Sequence, residues 1–152
     1  MQKITDWQAL WKELVELKEN SRKAEGALPG EDYWSTKARQ YEDRVKARWS
    51  KPDSTRDFVL SQLGSQDSVI DVGAGSGAWS LLFARHCRAV TAVEPSAAMR
   101  ELLIENIRAE QIANVNVLPE KWLEAPLGPH DFVFCAHAMY GEVDLAHFLQ
   151  KM

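Results

Sequence analysis

Residues 69–80, Val69-Ile70-Asp71-Val72-Gly73-Ala74-Gly75-Ser76-Gly77-Ala78-Trp79-Ser80, constrain the chain most, because an apolar strand runs into an acid and then into three glycines spaced two apart. Glycines at that spacing let the main chain turn sharply and leave no Cβ between backbone and a bound ligand, while the following helix presents unpaired N–H groups. The segment reads as a strand-turn-helix whose cradle is made of backbone. A second apolar run, Ala89-Val90-Thr91-Ala92-Val93, ends in Glu94 and Pro95. An acid at a second strand tip is placed to take both hydroxyls of a ribose.

Around these two runs, helical and strand patterns alternate. Helices are expected over Ser54 to Leu63, Ser76 to His86 and from Ser96 onward, where Met99, Leu102, Leu103 and Ile107 share a face; strands are expected over Ser68 to Val72, Ala89 to Val93, Val115 to Leu118 and Asp131 to Cys135. Glu142 to Gln150 reads as a last helix. Such alternation predicts an α/β, Rossmann-like three-layer sandwich with a mostly parallel sheet, and right-handed crossovers order its strands 3-2-1-4. The switch point then lies beside strand one, where ligands bind outside the carboxyl ends; Asp71, Glu94 and Cys135 all sit at such ends.

Upstream of this alternation the pattern is purely helical. Thr5-x-x-Gln8 reads as a capping box for an amphipathic helix over residues 5–19 carrying Trp7, Leu10, Trp11, Leu14 and Leu17. Trp34, Ala38, Tyr41, Val45 and Trp49 predict a second helix over 31–49, ended by Pro52. The division expected is a helical cap or lid segment over 1–51 and a ligand-binding domain over 52–152. Lys37, Arg39, Arg44, Lys46, Arg48 and Lys51 line the second helix, but Glu42 and Asp43 interrupt them, and the run reads first as a solvated face.

The net charge of −4 gives no overall attraction for phosphate backbones, which disfavours nucleic acid as a partner. Apolar runs of only a few residues cannot span a bilayer, and the N-terminus lacks a secretory pattern, so no membrane partner and a cytoplasmic location are expected. Cys87 and Cys135 stand far apart with no Cys-x-x-Cys or Cys/His cluster, which predicts no metal site. Cys87 reads as a buried small hydrophobe; Cys135 reads as packing or as a cofactor contact.

The strand, Asp71 and Gly73-x-Gly75-x-Gly77, followed by Glu94, resemble the class I S-adenosylmethionine (SAM)-dependent methyltransferases over Asp67 to about Tyr140. The same glycines with Ala78 also fit the Gly-x-Gly-x-x-Gly/Ala pattern of dinucleotide binders, so an NAD-binding domain stays open as a reading. Asp71 favours SAM, since a carboxylate suits its ammonium and sulfonium and repels a pyrophosphate.

By this resemblance Gly73, Gly75 and Gly77 would run along the methionyl and ribose parts of SAM, with Asp71 near the ammonium, Glu94 on the ribose and Pro95 beside the adenine. Relatives often carry Gly-Asp-Ala after the third strand, where the Asp accepts from the adenine amino group; here the stretch is Leu118-Pro119-Glu120-Lys121-Trp122. Glu120 or a carbonyl would take over that bond, and Trp122 would pack on the base or in the core. Phe132 to Tyr140 is similar to the fourth motif of small-molecule methyltransferases, and it lacks the Asn-Pro-Pro-Tyr or Pro-Cys of enzymes acting on exocyclic amines or cytosine. His137 and Tyr140 are the catalytic candidates, His137 as a base, a substrate contact or a structural residue.

Tyr33-Trp34-x-x-x-Ala38-x-x-Tyr41 resembles the aromatic segment ahead of the SAM domain in ubiquinone-biosynthesis-type methyltransferases, with Tyr41 as a lid or as core. The resemblance thus implies methyl transfer from SAM to a small-molecule acceptor, with S-adenosylhomocysteine (SAH) as product. Family members continue beyond the fourth strand with a fifth strand and an antiparallel pair, whereas this sequence stops at Met152. The expectation is therefore a domain incomplete at its C-terminus, either a fragment or a SAM-binding, partner-completed module with weak turnover, whose strand-four edge either self-associates or is covered by the Trp-rich N-terminal helices.

Overall fold

A computed structural model of the chain describes residues 6–24, 28 and 30–152. The elements run α1 (Trp7–Ala24), α2 (Ala38–Trp49), α3 (Ser54–Ser61), β1 (Ser68–Val72), α4 (Ala78–Ala84), β2 (Ala89–Val93), α5 (Ala97–Ala109), β3 (Val115–Leu118), β4 (Phe132–Cys135), a 3₁₀ turn (Met139–Gly141) and α6 (Leu145–Lys151). All pairings are parallel and the order is β3-β2-β1-β4, with Asp71 between Ala92 and Phe134.

Strand alternation divides the core between the two faces of the sheet. Ile70, Val72 and Val93 pack with Trp122 and Phe148 on one face, whereas Val69 and Val90 meet Phe83 and Cys87 on the other. Ala92 packs on that second face with Leu81 and Leu103, which adds α5 to the layer formed by α3 and α4. This is the expected three-layer α/β sandwich. Among the described residues no helix is long and apolar enough to cross a membrane, and no cluster of His, Cys, Asp or Glu could hold a metal ion.

Several boundaries differ from expectation, each for a local reason. Thr5 lies outside the described residues, and Asp6 caps α1 instead, its Oδ1 accepting from the N–H groups of Gln8 and Ala9. The second helix begins at Ala38 rather than 31, because Asp32 diverts the chain into a turn by accepting from Trp34 N–H at 3.0 Å. Residues 76 and 77 are not helical: Gly77 has φ +95° and α4 starts after it. The last helix starts three residues late, capped by Asp144, whose Oδ1 accepts from His147 N–H.

The apolar face of α1 is largely open to solvent. Trp7, Leu14 and Leu17 are 73, 54 and 56% exposed, and the helix touches the molecule chiefly along α6. Its firmest tie is Trp11 Nε1, which donates to the carbonyl of Glu142 at 2.6 Å. The α2 helix is held more tightly. Glu42, read as part of a solvated face, is only 4% exposed, pairs with Lys46 at 2.8 Å and accepts from Asn106 Nδ2 at 2.6 Å. Asn106 also donates to the carbonyl of Ser76, which joins α2, α5 and the glycine turn in one network.

Candidate SAM site

The turn after β1 is fixed by backbone first. The N–H groups of Gly73 and Ala74 both donate to the carbonyl of Val93, at 2.8 and 3.1 Å, so the glycine turn is tied to the end of β2. All three glycines have positive φ, at +71°, +58° and +95° for Gly73, Gly75 and Gly77. Their roles then diverge. A Cβ on Gly73 would lie 2.2 Å from the Cβ of Ala138, and one on Gly77 would lie 2.3 Å from Leu103 Cδ1, whereas a Cβ on Gly75 would meet nothing within 4 Å. Gly73 and Gly77 allow close packing, and Gly75 faces open space.

Glu94 closes the other side of that space. Its Oε2 accepts from Gly75 N–H at 2.7 Å and its Oε1 from Ser96 N–H at 2.8 Å. Burial pushes its pKa up, while these two donors oppose the shift. Each carboxylate oxygen keeps a further lone pair for a ligand hydroxyl. Arg100 holds the same corner, donating to the carbonyls of Glu94 and Pro95 at 2.9 and 2.7 Å.

Asp71 sits deeper, 2% exposed, and accepts from Ser80 Oγ at 2.6 Å. Burial raises its pKa to about 7; the Ser80 hydrogen bond works against this and the nearby Glu94 carboxylate adds to it. At neutral pH this carboxyl is therefore poised between its charged and neutral forms.

Two compartments open around these groups. One, of about 300 Å³, is lined by Gly73, Gly75, Glu94, Pro95, Lys121 and Trp122. The other, of about 410 Å³, is lined by Asp71, Trp49, Trp79, Phe134 and Cys135, among others. They share Tyr41, Gly73, Gly75, Ala136 and His137, so they form one cleft with a waist. Both lie at the carboxyl ends of β1, β2 and β4, beside the switch point of the sheet.

Of the candidates read from sequence, Gly73, Gly75, Glu94, Pro95, Trp122, Tyr41, Asp71, Cys135 and His137 line this cleft. Gly77 does not; it is buried against α5. Glu120 does not line it either, although among the described residues its Oε2 is buried without a hydrogen-bond partner. Trp122 is buried in the core and also lines the smaller compartment, and its Nε1 donates to the carbonyl of Phe148 at 3.0 Å. Tyr140 is half-exposed and outside both compartments, but its hydroxyl lies 2.8 Å from His137 Nδ1. His137 adopts φ +61°, a conformation that side chains other than Gly rarely take and that turns it into the waist. Burial raises the pKa of the Cys135 thiol, which disfavours the thiolate.

Sequence reasoning missed Asp32 and the aromatic wall. Asp32 Oδ2 accepts from Ser96 Oγ at 2.8 Å, and so ties the turn before α2 to the start of α5. Trp79 and Phe134, with ring centroids 4.6 Å apart, come from α4 and β4 and meet only through the sheet. The aromatic content of both segments was visible, but their shared compartment was not.

The family model for a methyltransferase domain matches residues 69–152. The chain belongs to that family, and its fold is the Rossmann-like fold of class I SAM-dependent methyltransferases. A Methanococcus maripaludis protein assigned to the SAM-dependent methyltransferases is similar at TM-score 0.69 and 16% identity, over 83% of this chain and 61% of that one. A SAM-dependent methyltransferase of Aquifex aeolicus gives 0.55 and 24%, over 63% and 55%. A Streptococcus mutans protein assigned as a methyltransferase, in complex with SAH, gives 0.53 and 13%, over 64% of each chain. At these identities the likeness is one of fold, and the chain spans less than two thirds of each protein's length. No curated protein matches the chain.

Proposed function

We propose that this domain binds SAM in the cleft and transfers its methyl group to a small-molecule acceptor. The observation that carries the reading is the open space at Gly75 beside the Glu94 carboxylate, at the carboxyl ends of β1 and β2. In this reading Glu94 takes the ribose hydroxyls, and Pro95 and Trp122 flank the adenine. Asp71 faces the methionyl ammonium, whose charge would favour the ionised carboxylate. Glu120 lies near enough in sequence to Trp122 to offer its unpartnered oxygen to the adenine amino group if the segment shifts on binding.

SAM supplies a methyl carbon on a sulfonium, and its sulfur keeps the bonding electron pair as a neutral thioether, SAH. Because that leaving group needs no acid, the protein's work is alignment across the waist. An amine or thiolate acceptor supplies its lone pair directly, while a hydroxyl must lose its proton. His137 stands at the waist to take that proton, and Tyr140 orients the ring through Nδ1. We assign residues 1–51 to a helical cap segment, of which Trp34 and α2 residues such as Tyr41 line the cleft, and the reaction to the cytoplasm. The overall charge of −4 disfavours nucleic acid as the acceptor.

Thermal unfolding with SAH and with NAD tests the reading. SAH at 100 times its dissociation constant should add about 2.7 kcal/mol of stability, and NAD none. A melt moved by NAD and not by SAH would overturn it.

A further inference from the structure

The larger compartment has a chemistry of its own. Its walls are Trp49, Trp79 and Phe134, all half-buried and joined edge to face or tilted, with Trp49 and Trp79 centroids 5.2 Å apart and Trp79 and Phe134 4.6 Å apart. Aromatic walls of this kind favour a flat, π-rich occupant over an aliphatic one. Two arginines line the same space. Arg56 lies 4.8 Å from the Trp49 ring centroid and donates to the carbonyls of Trp49 and Lys51, which position its charge without cancelling it. Arg48 lines the same compartment from an exposed position.

Two acids also face this space. Asp53 is committed to capping α3, its Oδ1 accepting from the N–H groups of Thr55 and Arg56. Asp71 lies on the floor against Ser80, beneath the aromatic walls. The cations thus come from α2 and α3 beside Trp49, whereas the buried acid comes from β1 beside Phe134. This arrangement suits an occupant with an anionic group pointing toward Arg48 and its ring against the aromatic cluster. The other end of such a molecule would lie toward the waist and His137.

We propose that the α2–α3 side of this compartment, beside the methionyl end of SAM at Asp71, is the acceptor site and that it selects a planar aromatic anion, an inference that rests on the methyl-transfer reading only for the word acceptor. Binding itself is independent of that reading and can be measured alone.

Calorimetric titrations of 2-naphthoate, neutral 2-naphthamide and cyclohexanecarboxylate into the protein, with and without saturating SAH, test it. Naphthoate should bind at least about tenfold more tightly than either comparator, with SAH present or absent. R48Q, at an exposed position, should cut the preference for naphthoate over naphthamide by about fivefold or more and leave naphthamide unchanged, and R48K should restore part of it. Equal affinity for naphthoate and naphthamide, no binding of naphthoate, or an R48Q variant that keeps the full preference would overturn the proposal. So would competition between naphthoate and SAH, which would give Arg48 to the methionyl carboxylate instead. Failure of SAH to bind, with naphthoate behaving as expected, would count against the methyl-transfer reading and not against this selectivity.

Discussion

At Gly77 a Cβ would stand 2.3 Å from Leu103 Cδ1 and 2.7 Å from Leu81 Cδ1, on a backbone at φ +95°. Gly77→Ala should therefore cost about 2–4 kcal/mol, combining left-handed strain with overpacking. Gly75→Ala meets open space and should cost only about 1–2 kcal/mol, yet weaken SAH because its methyl enters the cleft. Urea unfolding with a calorimetric SAH titration separates the two. Equal stability losses would show that packing around Gly77 relaxes freely.

Asp71 belongs at the same scale. Its folded pKa of about 7 lies above the ordinary 3.8, so the native state keeps a proton that the unfolded chain releases between these values. Stability from this group is intact below about pH 4 and is lost as pH rises toward 7 and beyond. Glu94, also shifted upward, contributes in the same direction. Asp71→Asn keeps an acceptor for Ser80 and removes the titration, so its stability should fall less steeply between pH 5 and 8 than the parent's, by an amount on the order of a few kcal/mol across the range. Parallel pH profiles would place Asp71 in a polar, solvated setting.

Among elements, the turn before α2 depends on one carboxylate. Asp32 accepts from Trp34 N–H, Ser96 Oγ and Ala98 N–H, at 3.0, 2.8 and 3.3 Å. Trp34 and Tyr41, tilted against each other with centroids 4.8 Å apart, form the cleft wall beyond that turn. Asp32→Ala should cost about 1–2 kcal/mol and weaken SAH severalfold through loss of that wall. Unchanged SAH affinity in calorimetry would mean that α2 is held by Glu42 alone.

How much was legible in the sequence follows from the range of each interaction. The four strands, their order and the Glu94 corner could be read because strand pattern and glycine spacing are local signals. The α2 start could not: the turn that Asp32 makes with Trp34 N–H is local, but Ser96 and Ala98, which hold Asp32 in place, are distant in sequence. Glu42 looked solvated because its partner Asn106 is equally remote. Gly77 was read as a ligand contact because spacing cannot distinguish a glycine needed for a close helix from one facing a cleft.

For the whole molecule, β4 pairs with β1 on one side only, and among the described residues no strand covers its other edge. We expect self-association through that edge, seen as a mass that rises with concentration in sedimentation equilibrium. A single monomeric mass across the concentration range would mean that the half-buried β4 residues and their neighbours shield the edge. A crystal structure of the chain with SAH tests the assignment of the cleft, and should show adenosine in the smaller compartment, ribose hydroxyls on Glu94, the chain passing Gly75 and the ammonium toward Asp71. SAH bound elsewhere, or with its ribose away from Glu94, would contradict it.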